Sequence, residues 1–232
     1  MNDIYKEVAF DIGADLCRNA IWNGPACNWI EYNYDFNVNS FNYKPLSFEF
    51  YDGTSGIAFF LLNLYQVTGE IIFKTTALGA LEHAWNAKEN GLTTTKGSFY
   101  LGTSGLAYVY LKAAQLFNEH SLSKRAEEIL TELNDFDLAN SGYEVLSGIA
   151  GTIPLMIWAS KVLNNPLYIQ TAQKWAEFLL SKANSGNEML SWNFMNNNEI
   201  PLSDLLMVLP ELAMRFHNFL ILPAKKNSRM LV

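Results

Sequence analysis

The chain alternates between stretches that are apolar on all sides and stretches that are apolar on one side only. Residues 56–67 are apolar almost throughout, which is typical of a buried helix. A Thr-Gly-Glu break follows at residues 68–70, and from Phe73 to Asn90 the apolar residues recur at helical spacing. The pattern predicts a hairpin made of an inner, wholly buried helix and an outer, amphipathic helix.

The same pattern occurs twice more along the chain. Residues 106–117 and 122–133 form the second pair, and residues 149–163 and 167–183 form the third. Pro166 suits the first position of a helix, where no amide donor is needed. Hairpins of this kind cannot bury their inner helices alone, so they must stack on their neighbours.

The N-terminal part of the chain lacks the complete pattern. A helix is predicted from about Ile4 to Ile21, as part of a partial first hairpin. The segment from Asn23 to Glu49 is rich in Asn, Tyr and Phe and is predicted to be a long loop with one short strand.

Small residues precede each predicted inner helix, and alignment on Gly56, Gly105 and Gly148 gives repeat intervals of 49 and 43 residues. Such residues allow close backbone approach and leave the first helical amides unpaired. In a ring with these starts on one side, several positive helix ends would surround a common cavity. Tight helix packing explains the same glycines equally well. The predicted cavity lining is Asp52, Gly53, Gly56, Gly102, Gly105, Ser147 and Gly148.

These repeated helix starts resemble those of the lanthionine synthetase cyclase (LanC-like) family. The matching segments are Tyr51-Asp52-Gly53-Thr54-Ser55-Gly56-Ile57-Ala58, Leu101-Gly102-Thr103-Ser104-Gly105-Leu106-Ala107, and Tyr143-Glu144-Val145-Leu146-Ser147-Gly148-Ile149-Ala150-Gly151. The resemblance covers roughly residues 4–202 and implies an all-α fold, an (α/α) toroid of helical hairpins. About three to four hairpins fit in this chain, so residues 1–202 would form an incomplete toroid, followed by an atypical tail at 203–232.

The resemblance also implies a chemistry. Family cyclases add peptide Cys thiols to dehydroalanine or dehydrobutyrine, which forms the thioether rings of lanthipeptides. A central zinc ion holds the sulfur as the nucleophilic thiolate. Glu144 stands where the family has an aspartate that is thought to take part in catalysis, so the carboxylate is kept but is one methylene longer.

The zinc ligands of the family, a Cys and a Cys-His pair, have no counterpart in this chain. Cys17 and Cys27 match no ligand motif and are predicted to be small core residues. His83 and His120 are predicted to lie on the surface. The sequence therefore predicts no metal site in this chain, although complete members of the family use zinc.

The segment after Ser203 departs from the family pattern, which would continue with another glycine-rich start containing a His-Gly pair. A reading frame displaced by one base makes Met207-Val208 encode glycine, and permitted codons around it give Gly-Phe-Ala-His-Gly-Ala-Ser-Gly-Ile-Gly-Tyr-Ala. The hypothesis is a frameshift near Ser203 that truncates a longer cyclase.

The amino-acid composition limits the possible partners and the possible location of the protein. Half of the residues are apolar and 14% are aromatic, which supplies a core. The formal charge of −7 disfavours nucleic acid as a partner. The N-terminus lacks the basic and apolar regions of a signal peptide, and the apolar runs are too short for a membrane span. The sequence predicts a cytoplasmic protein.

Three functions remain open, and with them the question of whether the chain is an enzyme. The first is a truncated cyclase that is inactive alone. The second is a carbohydrate-active toroid, in which tryptophans stack on sugars and either Glu49 with Asp52, or Glu144, supplies the carboxylates. The third is a non-catalytic module that binds a precursor peptide or a synthetase partner.

Overall fold

The computed structural model describes residues 3–35, 39–91, 97–186, 189–193 and 201–202. Seven α-helices lie in this part of the chain: α1 (Asp3–Asn19), α2 (Thr54–Thr68), α3 (Ile71–Glu89), α4 (Thr103–Phe117), α5 (His120–Glu132), α6 (Thr152–Val162) and α7 (Pro166–Ser181). Helices α2 and α3, α4 and α5, and α6 and α7 pack as successive hairpins, and α4 also contacts both α2 and α6. The predicted all-α fold of stacked hairpins is confirmed. The predicted tail at 203–232, with its proposed frameshift, lies outside the described residues.

Short strands connect and flank the helices. Strands β1 (Ile21–Asn23) and β2 (Ala26–Asn28) form one antiparallel hairpin, and β3 (Ile30–Asp35) and β4 (Ser40–Pro45) form another. Strands β5 (Asn184–Gly186), β6 (Met189–Asn193) and β7 (Pro201–Leu202) form an antiparallel sheet after α7.

The prediction of a long loop over residues 23–49 is wrong. Apolar and polar residues alternate through β3 and β4, which places Ile30, Tyr32 and Tyr34 on one face of the hairpin. The Tyr32 ring stacks on Phe41 across the strands, with centroids 4.6 Å apart. In the first hairpin Gly24 supplies the positive φ of 58° that the tight turn requires.

The repeat register differs from the predicted alignment in the third hairpin. A Cβ atom at Gly56, Gly105 or Gly151 would lie 2.3, 2.3 or 2.5 Å from the carbonyl oxygen of the sixth residue before it. Gly53, Gly102 and Gly148 share an extended conformation three residues earlier. The equivalent glycine is therefore Gly151, not Gly148, and the intervals are 49 and 46 residues. The Ser-Gly-Ile-Ala segment at 147–150 resembles residues 55–58 in its letters but occupies a different place in the repeat.

The turns between inner and outer helices confirm this register. Gly69, Asn118 and Asn164 each stand thirteen residues after the equivalent glycine, and their φ angles are 75°, 51° and 51°. Glycine and asparagine are the residues that adopt this left-handed conformation at helix ends most readily. The third inner helix differs only in its first turn, which is a 3-10 turn (Ile149–Gly151) before α6.

The core lies between the inner and outer helices. Its largest fully buried side chains include Trp175, Tyr110, Tyr168, Phe73 and Leu61. Of the six tryptophans, Trp29, Trp175 and Trp192 are buried, whereas Trp22 is 44% exposed. None of the helices in the described part of the chain combines the length and the hydrophobicity of a membrane span.

Candidate functional site

The loops that precede the inner helices are bonded to one another at one end of the bundle. The backbone amides of Phe50 and Tyr51 both donate to the carbonyl oxygen of Tyr100, at 3.1 and 3.0 Å. In turn, Ser98 Oγ donates to the carbonyl oxygen of Leu146 at 2.7 Å. The three helix starts are thus brought side by side, as the repeat predicted.

The first amides of the inner helices are not free. The amides of Thr54 and Ser55 donate to the carbonyl oxygens of Ser47 and Phe48, at 3.0 and 3.3 Å. In the third repeat the amide of Ile149 donates to Gly142 O at 3.0 Å. The prediction of unpaired amides facing a cavity is therefore wrong for these two repeats, because the preceding loop folds back over the helix start.

This backward fold explains why glycine stands at the helix starts. A Cβ atom at Gly53 would lie 2.5 Å from Glu49 N, and one at Gly148 would lie 2.6 Å from Glu144 N. Backbone atoms this close cannot be displaced without opening the loop. The contacts therefore support tight packing as the reason for glycine at these positions.

Glu144 is buried, and its carboxylate is engaged within its own loop. It accepts hydrogen bonds from the Leu146 amide at 2.5 Å, from the Ser147 amide and from Ser147 Oγ. Ser98 occupies the same repeat position, and its Oγ likewise accepts from the amide three residues on, that of Leu101, at 3.1 Å. The geometry gives Glu144 a role in closing the loop, and its catalytic role stays a prediction.

The other predicted lining residues lie in the same layer but differ in accessibility. Gly53, Gly102, Gly105 and Gly148 are buried, whereas Gly56 and Ser147 are half-buried. Asp52 is exposed, and its Oδ1 lies 3.5 Å from Ser47 Oγ. Among the predicted lining residues, Asp52 therefore presents the one solvent-accessible carboxylate of this layer.

The prediction that His83 lies on the surface is wrong. Its ring is half-buried between β2 and the start of α2, with Nε2 2.9 Å from Asn28 Nδ2 and Nδ1 3.0 Å from Thr54 Oγ1. The Asn28 amide nitrogen is a donor, so Nε2 accepts and Nδ1 carries the proton. Burial lowers the pKa of His83 below its usual value, which favours this neutral form. His120 is exposed, as predicted.

The inner helices are not wholly buried, contrary to the prediction. Each leaves the same three positions accessible to solvent, at 3, 7 and 10 residues after the equivalent glycine. We call this surface the inner strip; it consists of Phe59, Asn63 and Gln66 on α2, Tyr108, Lys112 and Gln115 on α4, and Pro154, Trp158 and Lys161 on α6.

Aromatic rings run across the inner strip from one helix to the next. The Phe59 and Tyr108 centroids are 5.5 Å apart, and those of Tyr108 and Trp158 are 5.3 Å apart. Five of the nine residues of the strip are polar or charged, but scattered polar residues on mostly apolar helices do not by themselves reveal a shared surface; they are Asn63, Gln66, Lys112, Gln115 and Lys161. Only the corrected register shows that they occupy matching positions.

The cysteines do not fit a zinc site. Cys27 is buried with its Sγ 3.4 Å from the carbonyl oxygen of Thr76, and Cys17 is half-buried near Ile72 O. Burial raises the pKa of both thiols, that of Cys27 to about 12. Among the described residues no three His, Cys, Asp or Glu side chains gather as a possible metal site. The prediction that the cysteines are core residues is confirmed for Cys27.

Comparison with known proteins agrees with this architecture. The family model described as lanthionine synthetase C-like protein matches residues 44–199, which is more than half of the chain and runs from β4 through all three hairpins. No curated protein matches the chain. On the extent of the family match, the chain belongs to the lanthionine synthetase C-like protein family.

Proposed function

We propose that this chain binds a precursor peptide in lanthipeptide maturation, along the inner strip. The observation that carries the proposal is the row formed by Phe59, Tyr108 and Trp158 across three consecutive inner helices. Half-buried aromatic rings offer apolar contact area to a peptide. This contact leaves the polar groups of the peptide backbone free for hydrogen bonds. The neighbouring carboxamides of Asn63, Gln66 and Gln115 offer both donors and acceptors to an extended peptide backbone.

Binding of the peptide and formation of its thioether rings require different groups. Thioether formation needs a thiolate to attack the dehydrated residue and a group that protonates the resulting enolate. The two cysteines of this chain are unsuited to a metal site, so we propose that a synthetase partner supplies the zinc that would hold the peptide's own cysteine as thiolate. The chain alone would then hold the peptide and leave its thiols unchanged.

The test is binding of a fluorescein-labelled, dehydrated precursor peptide, measured by fluorescence anisotropy. We expect saturable binding, and we expect Tyr108→Ala to weaken it by about 5- to 10-fold, the loss that about 1–1.4 kcal/mol produces. Tyr43→Ala is the matched control, because Tyr43 is a 75% exposed tyrosine on β4, outside the inner strip. Equal effects of the two substitutions would contradict the proposed location.

The chemistry is tested on the same mixture. Alkylation of free thiols followed by mass spectrometry counts the cysteines of the peptide that remain unreacted. We expect the full count with the chain alone, and thioether formation by the chain alone would overturn the separation of binding from ring formation. Binding of an oligosaccharide in place of the peptide would favour the carbohydrate-active alternative.

A further inference from the structure

Lys112 is a cation of the inner strip whose charge no described residue neutralises. Its ammonium group lies 5.7 Å from the centroid of Tyr108 and 5.3 Å from that of Trp158. Two other half-buried cations do have carboxylate partners: Lys88 Nζ lies 2.5 Å from Glu132, and Arg125 lies 2.6 Å from Glu82. Lys74, like Lys112, lies against an aromatic ring instead. Among the described residues no carboxylate lies within ion-pair distance of Lys112.

Lys112 also lines a depression of about 280 Å³ between α2 and α4. Asn63, Gln66 and Gln115 line it with carboxamides, and Phe59, Leu62 and Leu116 complete its wall. At about 30 Å³ for each water molecule, this volume corresponds to on the order of nine waters, so it is large enough for a side chain. No acidic side chain lines it.

We infer that this depression binds a carboxylate, with Lys112 as the charged contact and the carboxamides of Gln66 and Gln115 as neutral donors. The Asn63 amide already donates to the carbonyl oxygen of Phe59. The rings of Tyr108 and Trp158 both lie within 6 Å of the ammonium group and help to position it, and its N–H groups can donate to a ligand. A charge-assisted hydrogen bond is stronger than a neutral one, and partial burial strengthens it further. The inference rests on the proposed function in taking the ligand as an acidic residue of a bound peptide.

The protein as a whole repels such a ligand, since its formal charge is −7. Salt at about 0.15 M screens this repulsion beyond roughly 8 Å, so a local cation decides the contact. Recognition at Lys112 would therefore select the position of an acidic residue in the peptide more than it would raise the association rate.

The experiment compares two labelled dodecapeptides that differ only in Glu against Gln at one position, titrated by anisotropy against the full chain. We expect the Glu peptide to bind on the order of tenfold more tightly, the ratio that 1.4 kcal/mol gives. Lys112→Gln should abolish this ratio and Lys112→Arg should retain most of it. Lys74→Gln is the control, because Lys74 lies 4.2 Å from the Phe117 ring but outside the depression.

Equal binding of the two peptides to the native chain would overturn the carboxylate site and leave peptide binding intact. If neither peptide binds, the proposed function fails, and titration with N-acetylglutamate amide decides the site alone. Binding of that small carboxylate that is lost in Lys112→Gln supports the site for free carboxylates, and no binding rejects it.

Discussion

His83 Nδ1 lies 3.0 Å from Thr54 Oγ1, so the outer helix α3 is bonded to the residue at which the inner helix α2 begins. The other ring nitrogen accepts from Asn28 in β2. One neutral imidazole thus joins the first strand pair, an outer helix and an inner helix. Protonation would turn the accepting nitrogen into a donor facing the Asn28 amide, and this contact would be lost.

Stability should therefore fall with acidification through the range in which histidine titrates. The pKa of His83 is lowered in the folded chain, so the unfolded chain takes up the proton first as the pH falls below about 6.5. The free energy of unfolding should then decrease with a slope of at most about 1.4 kcal/mol per pH unit. Urea unfolding at several pH values between 7.5 and 5.5 measures it.

His83→Gln should reduce this slope. His120→Gln, at the exposed histidine that begins α5, should leave the slope as it is in the native chain. An equal slope in the His83 variant and the native chain would show that another group is responsible.

Glu144→Ala should destabilise the third repeat. The substitution removes the acceptor of the Leu146 and Ser147 amides, and unpaired buried donors cost about 1–3 kcal/mol. Glu49 holds the equivalent position in the first repeat, and among the described residues its carboxylate accepts no hydrogen bond. Glu49→Ala should stay within about 0.5 kcal/mol. Urea unfolding of both variants gives the comparison, and similar losses would argue against the loop-closing role.

Gly105→Ala should be severely destabilising. Its new Cβ would lie 2.3 Å from Phe99 O and 2.7 Å from Phe50 Cβ, and neither can move without displacing a helix start. Forcing a methyl group into such a contact costs about 3 kcal/mol or more. Gly142→Ala, with its nearest atom at 3.3 Å, should cost clearly less. Comparable unfolding midpoints in the two variants would contradict the assigned register.

Arg125→Lys should weaken the contact between the first two hairpins. The guanidinium donates to both Glu82 carboxylate oxygens and to Tyr110 Oη, and it lies 4.9 Å from the Trp85 centroid. Lysine cannot reproduce the planar fork or the stacking. We expect a loss of about 1–2 kcal/mol in the free energy of unfolding. Arg18→Lys, in an exposed pair with Asp15, should change stability by less than about 0.5 kcal/mol.

The helices could be predicted from sequence because their signal is local. Each outer helix carries one apolar face, and each inner helix is apolar on nearly all sides, so the hairpins and their order follow from periodicity. The strands over residues 21–45 were missed because that segment was interpreted from its composition and not from its pattern of apolar and polar residues. The alternation in Ile30 to Asp35 and a glycine as the first of the two turn residues, Gly24 and Pro25, are strand and hairpin signals that the richness in Asn, Tyr and Phe obscured.

The site was less predictable because it depends on register and on nonlocal contacts. The three-residue error at Gly148 hid the positions in the third inner helix that match the first two. Pro154 corresponds to Phe59 and Tyr108, and Trp158 corresponds to Asn63 and Lys112. The burial of His83 depends on Asn28, which lies 55 residues away and on a strand that was not predicted. Glu144 was found by resemblance, but the bonds that engage its carboxylate are set by the loop conformation.

The left-handed turns at Gly69, Asn118 and Asn164 have a practical consequence. All three are exposed and lie at the ends of the inner helices farthest from the bonded loop layer. Exposed turns of this kind tolerate inserted residues. A fluorophore or an affinity tag inserted at any of them would lie about one helical turn beyond the last inner-strip residues, Gln66, Gln115 and Lys161. The turns therefore give three separate attachment points at the edge of the surface that receives the ligand.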